Sequence, residues 1–181
     1  MPELRALRRS PLLATSPAVR PLPPAARWIL RGDARVRVAA ESGLKLALPE
    51  AACRASIAGE SAALWLGPDE WLLIAAERMA EETAAALAAA LAQLPHSLVD
   101  VGHRQIALEV SGRDAPTLLA AGCPLDLEAS AFPVGMCTRT MLAKAEIVLW
   151  RTAPEVFRIE VWRSFAAYVT SFLREAAHGV P

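Results

Sequence analysis

The chain has 181 residues, enough for one domain or two fused halves and for burial of about 70% of the surface an unfolded chain exposes. Nineteen Lys and Arg are balanced by nineteen Asp and Glu, which excludes the broad positive field that steers proteins to nucleic acid or to an anionic membrane. The longest uncharged helical run, Thr83 to Pro95, is interrupted by Gln93 and falls short of the about 20 apolar residues a spanning helix needs. Cys53, Cys123 and Cys137 are an odd number and give no disulfide framework, so a reducing, cytoplasmic setting is expected.

Six of the 14 prolines fall within the first 24 residues, a density that forbids helix and predicts an extended arm over residues 1–26, outside the core. That stretch carries arginines but lacks the continuous apolar segment of a secretory signal. Its interspersed Leu4, Leu7, Leu12, Leu13, Val19 and Leu22 suit a segment lying along a partner or along its own body. From Arg27 the run "RWILRGDARVRVAA" alternates around Val36 and Val38, and "LKLALPE" continues an extended reading. In "AALWLGPDEWLLIA", Gly67-Pro68-Asp69 separates two apolar runs as a hairpin turn does. Leu87, Leu91 and Leu94 then recur at helical spacing before Pro95.

The second half repeats this rhythm. "SLVDVGHRQIALEVSG" supplies two short strands, with Ile106, Leu108 and Val110 on one face and Gln105 and Glu109 on the other. "RDAPTLLAAG" predicts a short helix with Asp114 as cap, Pro116 in its first turn and Gly122 past its end. "KAEIVLWRTAPEVFRIEVW" is a second hairpin, and Phe165, Tyr168, Val169, Phe172 and Ala176 form a stripe on a terminal helix. The fold class expected is α+β, a duplicated strand-strand-helix unit with a mainly antiparallel sheet, its halves spanning about residues 27–96 and 97–181 of a single domain.

Chemistry is harder to find. No two glycines lie closer than Gly59 and Gly67, so the glycine-rich phosphate loops are absent, as are a Gly-x-Ser-x-Gly elbow, His-Glu-x-x-His and Cys-x-x-Cys. A metal would have to be assembled from Cys123, Cys137 and one of His96, His103 or His178, at a spacing far wider than zinc knuckles use. Cys123 and Cys137 read better as small buried fillers. "DVGHRQ" gathers Asp100, His103 and Arg104 at a strand junction, a candidate acid/base or binding cluster. If Phe157, Ile159 and Val161 face the core, Trp162 lies on the opposite face with Arg158 and Glu160, and Trp150 likewise lies opposite Ile147 and Leu149. Tryptophan among charges on a second sheet face predicts a covering helix or a protein interface. His103, Arg104, Arg139, Trp150 and Trp162 are therefore the candidate interface residues.

The stretches "LWLGPDEWLL", "LVDVGHRQIALEVSG", "GCPLDLEASAFPVGMCTRTMLAKAEIVLWR" and "FRIEVWRSFAAYVTSFL" closely resemble the gamma subunit of heterotetrameric sarcosine oxidase, from about Ala62 to Ala176. Gly102 departs from the serine that family members often carry in a "DVSHR" phrase. The resemblance implies a fold like the folate-binding domain of the glycine-cleavage aminomethyltransferase, and "VSGRDAPTLL" is similar to that superfamily's Gly-x-Asp-Ala helix start. It also implies a non-catalytic subunit without a cofactor of its own, docked chiefly on alpha, with beta and delta in the same complex. FAD, FMN, NAD and zinc would sit in those other subunits. Two other functions stay open at this point. One is a free-standing folate-binding one-carbon module. The other is an aminomethyltransferase-like enzyme, for which Asp100 is the available carboxylate.

Overall fold

Gly67, Pro68 and Asp69 do turn the chain, joining β4 (Ser61–Gly67) to β5 (Glu70–Ala76) in an antiparallel hairpin. The computed structural model describes residue 16 and residues 18–178. A 3-10 turn then leads into α2 (Ala80–Leu91), which buries Leu87 and Leu91. The same sequence of elements recurs as β9 (Ala145–Ala153), β10 (Val156–Trp162), a 3-10 turn and α4 (Ala166–Ala177). β5 and β10 are both seven residues long, as are β2 (Ala25–Arg31) and β7 (Gln105–Ser111). Each β2–β5 and β7–β10 pair is antiparallel and runs in the same register, first residue against last.

The described residues form two five-stranded antiparallel sheets. One has the order β3-β4-β5-β2-β6, where β3 is Ala55–Ala58 and β6 is Ser97–Asp100. The other has the order β1-β7-β10-β9-β8, where β1 is Val19–Pro21 and β8 is Cys137–Leu142. The first contains β2, α1 (Ala34–Leu44), β4, β5, α2 and β6 in chain order, a βαββαβ unit with a short extra edge strand. In the second, β7, α3 (Ala115–Ala120), β9, β10 and α4 lack a closing strand of their own, and β1 fills that place beside β7 from the start of the chain.

The duplication is therefore interlocked. Val19 is buried in the second half's core and pairs with Val110, so the segment expected to stand outside the core is partly within it. The expected boundary after residue 26 falls inside β2. α1 also departs from the sequence reading, which extended a strand through Val36 and Val38. Asp33 accepts backbone N–H bonds from Arg35 (2.9 Å) and Val36 (3.2 Å), a helix cap that competes successfully with so short an alternation. Val36 and Ala40 then bury one helical face while Val38 is left outside. Asp114, by contrast, makes no side-chain cap bond to α3.

The alternation along β2, β7, β9 and β10 sorts side chains into three layers. Trp28, Leu30, Trp71 and Leu73 meet Val36, Ala40, Leu87 and Leu91 of the first helix pair. Ile106, Leu108, Val110, Ile147, Leu149, Phe157, Ile159 and Val161 meet Leu118, Leu119, Val169 and Leu173 of the second. The remaining faces close on each other through Leu64, Leu72, Ile74, Cys137, Val148 and Trp150. Two residues show how tight the helix packing is. A Cβ on Gly43 would lie 2.9 Å from that of Ala90 on α2, and one on Gly122 would lie 2.7 Å from the Phe172 ring of α4.

Candidate functional site

Trp150 and Trp162 lie on one face of their sheet, as their parity predicts, and differ in what covers them. Trp150, at 5% exposure, is enclosed between the sheets, so its face is covered by the other half of the chain, neither by a helix nor by an outside partner. Its indole N–H has no acceptor among the described residues. Trp162, at the end of β10, keeps 38% of its surface open.

Among the described residues the buried charges of the inter-sheet layer form one column through its apolar core. Arg27 is the third residue of β2 and Glu160 the fifth of β10, and they are 2% and 1% exposed. Arg27 donates from Nε to Glu160 Oε2 at 2.6 Å and from Nη1 to the Ala25 carbonyl at 2.8 Å. Arg158 donates from Nε to Glu160 Oε1 at 2.8 Å. At the equivalent places of the other copies stand Ile74 and Ala107, so each sheet pairs a charge with an apolar residue and the two charges meet across the layer. Such a pair stabilises little overall, but removing one member leaves an uncompensated buried charge. Gln105, at 5% exposure, lies on the same layer, and its Oε1 has no donor among the described residues.

The "DVGHRQ" junction forms the turn between β6 and β7. Asp100 Oδ1 accepts the Gly102 N–H at 2.7 Å, and the Val101 N–H donates to the Arg27 carbonyl at 2.9 Å. Arg163 clamps the turn from the end of β10, donating from Nε to the His103 carbonyl at 3.0 Å and from its backbone N–H to the Arg104 carbonyl at 2.7 Å. His103 and Arg104 are thereby held at the surface beside β10. The Arg104 guanidinium lies 4.9 Å over the Trp162 ring. Arg139 pairs with Glu70 of β5, donating from Nη1 to Oε2 at 3.3 Å, and so answers a carboxylate of the first half. Thus His103, Arg104, Trp162 and Arg139 are accessible, with Arg104, Trp162 and Arg139 lining one recess.

Cys123 and Cys137 are packing elements. Cys137 is fully buried, with Sγ 3.7 Å from the Trp65 carbonyl, and burial pushes its thiol up to about 12, the opposite of thiolate activation. Cys123 is buried with Sγ 3.9 Å from Thr140 Oγ1. Among the described residues no three His, Cys, Asp or Glu side chains gather where they could hold a metal ion. No helix of the described residues is long and apolar enough to cross a membrane.

Arg151, which no sequence pattern marks, organises the loop before β8. It is 5% exposed, donates from Nη1 to the carbonyls of Phe132 (2.9 Å) and Leu127 (3.2 Å), reaches Pro154 O from Nε at 3.1 Å, and lies 5.0 Å over Phe157. A buried guanidinium satisfied wholly by carbonyls leaves no local pattern in sequence. An open groove of about 420 Å³ also lies beside the β1–β2 connection, lined by Leu22, Pro23, Pro24, Ile74, Arg78 and Arg158.

Two interlocked βαββαβ units packed sheet to sheet define a fold shared with the glycine cleavage system aminomethyltransferase T of Bartonella henselae. The TM-score is 0.64 at 14% identity, over 86% of this chain and 44% of that one. At residues 31–179 the chain matches the model of the sarcosine oxidase gamma subunit family, and it belongs to that family. It is 40% identical over 116 residues to the sarcosine oxidase subunit gamma of Corynebacterium sp. (strain P-1), a match spanning 64% of this chain and 56% of that relative's length. A chain of the heterotetrameric sarcosine oxidase from Corynebacterium sp. U-96, solved in complex with pyrrole 2-carboxylate, superposes with a TM-score of 0.83 at 29% identity. That match covers 89% of this chain and 83% of the other.

Proposed function

We propose that this chain is a non-catalytic subunit of a cytoplasmic heterotetrameric sarcosine oxidase, docked chiefly on the alpha subunit alongside beta and delta. The complex would oxidatively demethylate sarcosine with dioxygen to glycine and hydrogen peroxide, passing the one-carbon unit to tetrahydrofolate. FAD, FMN, NAD and zinc would belong to the other subunits. The observation carrying this reading is the superposition on a chain of such a heterotetramer over 89% of this chain. The internal chemistry agrees with a supporting role, since Glu160, Glu70 and Asp100 hold sheet to sheet and turn to strand. Co-expression with alpha, beta and delta followed by size exclusion tests it. Co-elution in one complex is expected, and a chain that elutes alone beside an assembled three-subunit enzyme would remove the reading.

The groove of about 420 Å³ favours a second reading, a module that binds reduced folate, because its size suits a small-molecule ligand. Against it, Arg78 and Arg158 at its wall are already committed to Glu60 and Glu160. Calorimetric titration of the chain with tetrahydrofolate separates the two, and saturable heat would favour the folate module.

A further inference from the structure

The recess beside Trp162 holds two opposite charges that do not meet. Arg104, from the turn after β6, and Glu146, from β9, both line it, yet neither takes part in an ion pair among the described residues. Their neighbours are committed, Arg139 to Glu70 and Glu160 to Arg27. Ile29 and Leu66 supply an apolar wall, and the undonated Oε1 of Gln105 lies in the same lining. The enclosed volume is about 20 Å³, so a partner engages the recess at its rim, where Arg104, Glu146 and Trp162 are exposed.

The arrangement is prepared for such a guest. A guanidinium stacked on an indole has already lost part of the freedom a partner would have to remove, and Trp and Arg dominate interface hot spots. An exposed arginine and an exposed glutamate in one recess, each without a counter-charge, are complementary to a segment bearing the reverse arrangement. We infer that this recess is the docking site for the partner subunit, receiving an apolar segment that presents a carboxylate to Arg104 and a basic side chain to Glu146. The inference rests on the subunit reading above and adds the surface and its chemistry.

The test is co-purification of the full chain with co-expressed alpha, beta and delta, comparing wild type with Arg104→Glu, Arg104→Gln, Trp162→Ala and Glu146→Lys. Arg78→Glu, at the remote groove, serves as the control. Wild type and control assemble, whereas Arg104→Glu and Trp162→Ala lower recovery by about tenfold or more. Glu146→Lys and Arg104→Gln lower it less, and circular dichroism shows all variants folded as wild type. Recovery of Arg104→Gln and Trp162→Ala equal to wild type overturns the docking site while leaving the subunit reading standing. A wild-type chain that never joins the complex overturns both. A wild-type chain that forms a dimer lost in Arg104→Glu assigns the recess to a second copy and also overturns the inference.

Discussion

Removing one member of the Arg27–Glu160 pair tests how the two halves are joined. Glu160→Gln keeps the shape of the side chain and an accepting amide oxygen but deletes the charge, leaving the guanidinium of Arg27, 2% exposed, without its counter-charge. Opposite charges about 4 Å apart interact by about 4 kcal/mol at an effective dielectric of 20. Breaking buried pairs costs about 3–5 kcal/mol by measurement. Arg158 softens the loss little, because its guanidinium is part-exposed and can turn to water. Glu160→Gln and Arg27→Met should therefore each cost about 3 kcal/mol or more. The double variant Arg27→Met/Glu160→Leu should lie within about 1 kcal/mol of wild type, because the equivalent positions Ile74 and Ala107 are already apolar. Urea unfolding followed by fluorescence of the five tryptophans gives all four stabilities. Single variants costing under about 1 kcal/mol, or a double variant less stable than either single, would refute the reasoning.

Cys137 predicts a pH effect of defined sign. An ordinary thiol loses its proton near 9.0, whereas the native one holds it to about 12. Between those values the folded chain binds a proton the unfolded chain has released, so stability is intact below pH 9 and falls by up to about 1.4 kcal/mol per pH unit above it. Cys137→Ala should flatten that part of the curve, and a slope unchanged by the substitution contradicts the assignment. Arg151→Met should cost about 3 kcal/mol by orphaning buried carbonyls, and should expose residues 121–136 to limited proteolysis. A wild-type cleavage pattern would show that the loop stands without it. Gly43→Val should cost about 1–3 kcal/mol in the same urea titration through a clash with Ala90, and wild-type stability would mean the α1–α2 contact is slack.

Much of this architecture was legible along the chain because it rests on local periodicity. The parity of Ile106, Leu108 and Val110, or of Phe157, Ile159 and Val161, is what two-residue alternation dictates, and the structure puts each set in one core. The repeated hairpin and helix were readable for the same reason. The shared Leu-Trp pairs were misleading in detail. Trp150 stands opposite Arg158 as Leu64 stands opposite Leu72, and both hairpins shift register at the same place beside the turn, so Trp150 takes the place of Leu64 and Arg151 that of Trp65. What covered the second sheet face was not legible, since that depends on two distant halves meeting. Nor was the exchange that places β1 beside β7 and β6 beside β2, where strands of three and four residues carry too little pattern to name their partners. Of the candidate site residues, Arg104 and Trp162 were marked by residue type and parity, whereas Glu146 and Gln105 acquire meaning only once β7 and β9 line the same recess.

The most direct measurement is native mass spectrometry of the complex purified through a tag on the alpha subunit after co-expression of all four chains. A single species containing one copy of this chain with alpha, beta and delta is the expected result. An alpha-beta-delta assembly that contains none of it, with this chain recovered folded and alone, would contradict the subunit role.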